Sequence, residues 1–196
     1  MFGYKATNTT LKATHGNNMS FSINQWYEVN NIQMCHMGFH FCEKIEQVDH
    51  FYPLCKNRLF LIEARGSIIK HSDKNVCSHI RFLREITQKE IRAYAESLYR
   101  KRNVLSINTK LFLISYGVGL DEFRDSDDWR LRAAVATYGR EADLDILVYD
   151  KNPYVRRNVA IQGRNTDCLK LLFDSDTFVQ MALKSQQQNK KLILNM

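Results

Sequence analysis

Apolar residues in the second half of the chain recur with the spacing of a helix that buries one face. Leu131, Ala134, Val135 and Tyr138 stand at positions i, i+3, i+4 and i+7, which lie on one side of an α-helix. Gly139 follows where such a helix would end, and we expect it to take the left-handed conformation common at helix C-termini. The pattern predicts a short helix that packs against a neighbour.

The same pattern returns 24 residues further along. Aligning residues 129–150 with residues 153–174 gives eight identities in 22 positions. The identical pairs are Arg132/Arg156, Val135/Val159, Ala136/Ala160, Gly139/Gly163, Arg140/Arg164, Asp143/Asp167, Leu147/Leu171 and Asp150/Asp174. A unit this short cannot bury its own apolar face, so successive units must stack. We predict three or four helical repeats within residues 104–184, followed by a polar tail at residues 185–196.

The segment Val155–Gly163, Val-Arg-x-x-Val-Ala-x-x-Gly, resembles the leucine-rich repeat variant, a family of solenoids with relatives among HEAT-type repeats. The resemblance covers about residues 110–184 and implies a short α-solenoid. Arg132 with Arg156, and Arg140 with Arg164, would then form rows along the stack. We expect them to pair with aspartates of adjacent repeats rather than to bind a partner, the candidates being Asp128, Asp150, Asp174 and Asp176.

Residues 1–86 alternate short apolar segments with clusters of Asn, Gly and Ser, which is typical of a small mixed β domain. Predicted strands are Gly3–Ala6, Ser20–Ile23, Trp26–Val29, Leu59–Ala64, Ser67–Ile69 and His79–Leu83. A helix is predicted over Glu43–Phe51. A capping box at Thr87–Glu90 begins a connecting helix over residues 87–103. The fold class is α+β, a small mixed β domain followed by a short α-solenoid of 24-residue helical repeats.

Two segments of the N-terminal part resemble a known but uncharacterised domain. They are Tyr4-Lys5-Ala6-Thr7-Asn8 and Gly38-Phe39-His40-Phe41-Cys42-Glu43, the second of which carries a Gly-Phe-His-x-Cys-Glu core. That domain occurs in proteins of bacteriophages and large DNA viruses, and the likeness spans residues 3–87. It implies a viral origin and carries no established activity.

The net charge of +7 is unevenly distributed along the chain. Residues 70–102 hold 9 Lys and Arg against 4 Asp and Glu, and a basic patch attracts nucleic acid or an acidic protein surface. We predict that this segment contacts a partner, which is a host protein or ribonucleoprotein complex, with nucleic acid as an alternative. The predicted partner-binding residues are Arg81, Arg84, Lys89, Arg92, Arg100, Lys101 and Arg102.

Cysteines and histidines crowd one short stretch of the N-terminal part. The cluster comprises Cys35, His36, His40, Cys42, His50 and Cys55. Zinc sites usually present cysteine pairs with two to four residues between them on tight turns. Six residues lie between Cys35 and Cys42, including a glycine and two phenylalanines. We expect reduced, structural cysteines, no metal and no cofactor. The N-terminus lacks the basic and apolar regions of a signal peptide, so we expect a cytoplasmic protein without a membrane span.

An enzymatic alternative remains open. Tyr4-Lys5-Ala6-Thr7 and Gly38-Phe39-His40-Phe41 resemble segments of the ADP-ribosyltransferase fold. The resemblance implies binding of NAD, with Glu85 or Glu90 as the catalytic glutamate. Lys5 departs from it, because it stands where that family uses Arg or His to hold the dinucleotide.

Taken together, these patterns predict a non-enzymatic interaction protein of viral or phage type that binds a host macromolecule. A host defence complex, such as a CRISPR effector, is the partner that we expect by analogy. The alternatives are an ADP-ribosyltransferase-like enzyme that acts with NAD, and an RNA- or DNA-binding protein that uses the basic segment 70–102.

Overall fold

The structure is a computed structural model that describes residues 1–13, 19–101 and 104–194, with side chains as far as residue 188. It is a mixed α/β fold in which an antiparallel sheet is followed along the chain by helices. The chain divides into two units, Met1–Phe112 and Leu113–Met196. The connecting helix predicted over residues 87–103 therefore belongs to the first unit.

Five strands form one antiparallel sheet in the described part of the first unit. They are β1 (Phe2–Thr7), β2 (Trp26–Glu28), β3 (Phe39–Phe41), β4 (Arg58–Lys70) and β5 (Asn75–Ile86). The order is β1-β4-β5-β2, and β3 pairs with the beginning of β5. The two strands predicted at Leu59–Ala64 and Ser67–Ile69 are one strand, because the register shift after Arg65 bends β4 without ending it.

The sheet closes on itself between its first and third strands. The Tyr4 N–H donates to the Cys42 carbonyl at 2.7 Å, and the Cys42 N–H donates to the Tyr4 carbonyl at 2.9 Å. These bonds join the end of β3 to β1, so that β1, β4, β5 and β3 surround a common interior. Its core is rich in phenylalanine and includes Phe21, Phe39, Phe41, Phe60 and Phe82.

Two helices complete the first unit. The helix predicted over Glu43–Phe51 is confirmed as α1 (Ile45–Phe51). The predicted capping box is also confirmed, since Thr87 and Glu90 exchange hydrogen bonds at the start of α2 (Gln88–Arg100). The strand predicted at Ser20–Ile23 is wrong. Ser20 and Ile23 make only isolated bridges, and the left-handed backbone of Asn24 (φ 64°) turns the chain away.

The second unit is helical in its described part. Its helices are α3 (Ile107–Ser115), within which the division of the chain falls, α4 (Leu120–Arg124), α5 (Trp129–Tyr138), α6 (Glu141–Leu147), α7 (Pro153–Gln162), α8 (Asn165–Lys170) and α9 (Thr177–Leu194). The segment predicted as a polar tail from residue 185 is helical as far as Leu194. One reason is Gln186, whose side-chain amide donates to the Ile161 carbonyl of α7 at 2.8 Å.

Arginine–aspartate pairs recur at the 24-residue spacing. Arg132 binds Asp150 through two hydrogen bonds of 2.6 and 3.0 Å, and Arg156 binds Asp174 through two of 2.6 and 2.9 Å. Two of the four candidate aspartates are thus the partners, but the prediction that the pairs join adjacent repeats is wrong, because each pair lies within one 24-residue segment. Arg156 also donates to the Asp150 carbonyl at 2.7 Å, and this bond links one 24-residue segment to the next.

A second set of pairs connects successive 24-residue segments directly. Arg140 binds Asp143 within its own segment, and it binds Asp121 of the preceding segment at 2.6 Å. Arg164 repeats this arrangement one unit later, with Asp167 and with Asp145 at 2.7 Å. Asp143 and Asp167 are fully buried, and the hydrogen bonds from Arg140 hold the pKa of Asp143 below its ordinary value.

The two aligned glycines end their helices differently. Gly163 has the predicted left-handed conformation (φ 70°), whereas Gly139 is extended (φ −77°, ψ −174°), so the prediction for Gly139 is wrong. A Cβ on Gly139 would lie 2.5 Å from the Val135 carbonyl oxygen and 3.0 Å from a carboxylate oxygen of Asp143. Glycine is therefore needed there chiefly because the Val135 carbonyl oxygen leaves no room for a Cβ, and the buried Asp143 carboxylate adds to the crowding.

We predict that Arg156→Met destabilises the second unit by about 3–5 kcal/mol, because it leaves the nearly buried Asp174 carboxylate without its cation. Arg130→Met is the matched control, since the Arg130–Asp128 pair is solvent-exposed and such pairs contribute about 0–1 kcal/mol. Urea unfolding followed by Trp129 fluorescence, in a Trp26→Phe background, measures both. Equal losses for the two variants would contradict the structural role of the buried pair.

Val159 is completely buried in α7. Val159→Asp would place an unpaired carboxylate there, at a cost on the order of 5 kcal/mol. We expect loss of helical circular dichroism and of protease resistance in the second unit. Gln187→Asp changes an exposed residue of α9 and should leave both unchanged. Retention of protease resistance in the Val159 variant would show that the repeat register is wrong.

Candidate functional site

A cavity of about 780 Å³ lies in the first unit, beside the bonds that close the sheet. Its walls come from β1, β3, α1 and the segments that precede β3. Phenylalanine rings form much of the lining, and the polar groups among them include Lys5, Asn30 and His40. Small-molecule sites have this size and this mixture of apolar walls with a few polar groups.

The imidazole of His40 holds the loop that covers one side of the cavity. A tight turn between Gln33 and Met37 has Cys35 in the left-handed conformation (φ 65°). The Cys35 N–H donates to Nε2 of His40 at 2.9 Å. Burial, and then the charges of Lys5 and Lys74, lower the pKa of His40, which keeps the ring neutral and able to accept this bond. His40 is therefore a structural residue of the cavity wall.

Lys5 lines the cavity, and its ammonium group is in an environment that is unusual for a positive charge. Its ammonium donates to the His40 carbonyl at 2.8 Å, and no described carboxylate forms an ion pair with it. Burial lowers the pKa of Lys5 to about 8. The nearby thiols of Cys42 and Cys77 provide no negative charge, because burial raises their pKa values to about 12 and about 11.

The cysteine–histidine cluster is divided between this cavity and the surface. Cys42 is buried, whereas Cys35 and Cys55 are exposed. Within the described residues, no three His, Cys, Asp or Glu side chains converge in a way that could hold a metal ion. His40 and the flanking Phe39 and Phe41 are committed to the loop and to the core.

The glutamates that the ADP-ribosyltransferase resemblance implies lie away from the cavity. Glu85 forms an ion pair with Arg58 at 2.6 Å. Glu90 caps α2 and binds Arg84, and hydrogen bonds from Thr87 lower the pKa of Glu90 to about 2. Tyr4–Thr7 and Gly38–Phe41 do meet at the cavity, but no carboxylate is among the described residues that line it.

Most cations of the basic segment already have partners. Arg81, on β5, pairs with Glu63 and stacks on Trp26, with 5.0 Å from its guanidinium to the ring centroid. Arg84, also on β5, pairs with Glu90 at the start of α2, and Arg92 and Arg100 on α2 pair with Glu96 of the same helix. Lys89 and Lys101 are exposed, and Arg102 lies outside the described residues. Pairing leaves fewer of these cations free to contact an acidic partner.

The structure also reveals a surface that sequence reasoning missed. Trp129, Tyr154 and Phe178, which we call the aromatic row, stand at the beginnings of α5, α7 and α9. Neighbouring rings are stacked, with centroid distances of 5.2 and 6.4 Å and interplanar angles of 27° and 20°. The three residues are 40, 49 and 54% exposed. An aromatic residue one or two positions after the aspartate or asparagine at each helix start is the signal that could have found the row.

A family model described as "Domain of unknown function (DUF7666)" matches residues 1–93. The match spans the whole sheet and the first half of α2, and it agrees with the expectation of an uncharacterised N-terminal domain. No curated protein and no solved structure matches the chain. In the described part of the chain, none of the helices has the length and hydrophobicity needed to cross a membrane.

We predict that Gly38→Ala disrupts the cavity wall. Gly38 has φ +107°, and a Cβ there would lie 2.5 Å from Cγ2 of Val76. We expect a loss of about 2–4 kcal/mol, which combines backbone strain with steric overlap. Gly117→Ala is the control, because Gly117 has φ +72° with nothing near its Cβ position, so strain alone should cost about 1–2 kcal/mol. Urea unfolding measures both, with Trp26 fluorescence for Gly38 and Trp129 fluorescence for Gly117. A Gly38 variant no less stable than the control would contradict the close approach.

Proposed function

We propose that the protein is a phage-type interaction protein and that its helical unit binds a host protein through the aromatic row. The row itself carries the proposal. Three large rings on alternate helices, α5, α7 and α9, remain about half exposed and are stacked on one another. Contiguous exposed apolar surface marks interaction sites, and aromatic residues dominate the energetic centres of protein interfaces.

The regularity of the row follows from the proposed solenoid. Identical Arg–Asp pairs and side chain–carbonyl bonds recur 24 residues apart, for example Gln162 to the Thr137 carbonyl and Gln186 to the Ile161 carbonyl. Repeats that stack in a constant orientation place equivalent residues in a line. We propose that α5 to α9 form such a stack, and that the row is its presented surface.

The charge of the helical unit favours a protein partner over nucleic acid. Residues 113–196 contain 12 Lys and Arg and 12 Asp and Glu, so they offer no net attraction to phosphates, on which nucleic-acid affinity depends. The pairing of Arg81, Arg84, Arg92 and Arg100 with carboxylates supports the same choice. We propose that the basic segment 70–102 changes the association rate rather than forming the centre of the interface.

Of the possible host proteins, we propose those of a defence complex, because the N-terminal segments resemble domains of bacteriophage and large DNA virus proteins.

The enzymatic alternative stays a prediction. Its support is the meeting of Tyr4–Thr7 and Gly38–Phe41 at one cavity, and against it stands the absence of a carboxylate among the described lining residues.

The test compares two double variants in capture from the natural host, followed by affinity measurement with the purified partner. Tyr154→Ser with Phe178→Ser removes two rings of the row. Tyr149→Ser with Phe173→Ser is the control, since these residues are also exposed (71 and 92%) and also lie 24 residues apart, outside the row. We expect at least about tenfold weaker binding for the row variant, the usual effect of losing hot-spot aromatics, and little change for the control.

Capture must also survive nuclease treatment. A partner that is lost with nuclease, or that binds the row variant as tightly as the wild type, would contradict the proposal. Lys101→Glu with Arg100→Glu addresses the basic segment separately, because we expect slower association with nearly unchanged dissociation.

A further inference from the structure

Two lysines give the cavity of the first unit a positive charge. Lys5 and Lys74 line it, together with the neutral ring of His40, and no aspartate or glutamate does among the described residues. Lys74 lies over the ring of Phe51, with 4.8 Å from its ammonium to the ring centroid. A concave site with charge of one sign and apolar walls concentrates ions of the opposite sign.

Lys5 is the cation whose position in the fold has no evident structural reason. Its one hydrogen bond in the described structure goes to a neutral backbone oxygen, the carbonyl of His40. Lys5 is only partly exposed, and a lysine largely withdrawn from water is rarely found without a carboxylate or another anion, because desolvation of the ammonium is costly. The low pKa of Lys5, about 8, has this desolvation as its largest cause.

The remaining walls are apolar and largely aromatic. Phe21 and Phe39 meet edge to face, with ring centroids 6.5 Å apart, and Phe41, Phe51 and Met19 extend the apolar surface. The volume of about 780 Å³ exceeds what one ammonium group requires and lies in the range of sites for drug-sized ligands. An apolar body with a single anionic group would satisfy both the rings and the lysine.

We propose that this cavity binds a small organic anion, with its carboxylate, phosphate or sulfonate group on the Lys5 ammonium and its flat apolar body against the phenylalanine rings. The site lies wholly within the first unit, and the proposal is independent of the aromatic row. The loop held by His40 covers the bound molecule, and Lys74 contributes a second positive charge at the wall.

The first experiment uses two probes that share one ring system and differ by a single negatively charged group. 8-Anilinonaphthalene-1-sulfonate carries a sulfonate, and N-phenyl-1-naphthylamine is the same ring system without it. Both probes also adhere to exposed apolar surface, so the protein carries the Tyr154→Ser and Phe178→Ser substitutions. We expect the sulfonate probe to bind at least about tenfold more tightly than the neutral probe, as measured by fluorescence titration. Equal affinities would overturn the proposal.

Lys5→Met retains the length of the side chain without its charge. We expect it to abolish the preference for the sulfonate probe and to raise the melting temperature of the ligand-free protein, because a partly buried charge without an ion-pair partner has been removed. Lys5→Arg should restore much of the preference. Lys56→Met is the matched control, since Lys56 is exposed and outside the cavity, and it should behave as the wild type. A folded Lys5→Met protein that keeps the preference would overturn the assignment of the site to Lys5.

The pH dependence gives a second readout. Only the charged ammonium binds the anion, and Lys5 with a pKa of about 8 is mostly neutral at pH 9. The affinity for the sulfonate probe should therefore fall about tenfold between pH 7 and pH 9, while that for the neutral probe stays constant. Other titratable groups face the site, namely Tyr4, Cys35, His36, His40, Cys42, Tyr52, Lys74 and, behind β3, Cys77. Loss of the pH dependence in Lys5→Met assigns it to Lys5, and its persistence there would contradict the proposal.

Discussion

The cavity of the first unit depends on two hydrogen bonds between Tyr4 and Cys42, which join the first strand to the third. They are the contact that closes the sheet, and they lie beside Lys5 on one strand and Phe41 on the other. With the Lys5–His40 bond they hold β3, which otherwise pairs with β5, against β1. The approach requires Gly3, because a Cβ there would lie 2.7 Å from the Cys42 carbonyl oxygen. This contact therefore decides which side chains line the cavity.

The two units show different limits of prediction from sequence. In the second unit the identical residues at a spacing of 24 were themselves the structural contacts, so charge and position reduced the candidate partners of Arg132 to four aspartates. They did not show that the partner, Asp150, lies in the same 24-residue segment. The aromatic row was harder to find, because Trp129 and Tyr154 are 25 residues apart and the alignment sets Trp129 against Pro153. What these rings share is a location at the helix start, and identity at aligned positions does not reveal it.

The cavity could not be predicted for another reason. Lys5, His40 and Lys74 are far apart along the chain, and the β pattern alone indicates neither that β3 returns to β1 nor that Lys5 faces inward. The motifs that resemble other proteins did identify two of the segments that meet there. The glutamates expected from that resemblance, Glu85 and Glu90, are instead used to pair with Arg58 and to cap α2.

The amide of Gln162 reaches back to the carbonyl of Thr137, and that of Gln186 reaches back to the carbonyl of Ile161. Two segments 24 residues apart thus each carry the amide that joins them to the segment before. In the proposed solenoid, a gene segment encoding 24 residues could be duplicated in place, and the new copy would find both of its junctions already made. The length of such a stack would be an evolutionary variable, and each duplication would add one ring to the aromatic row.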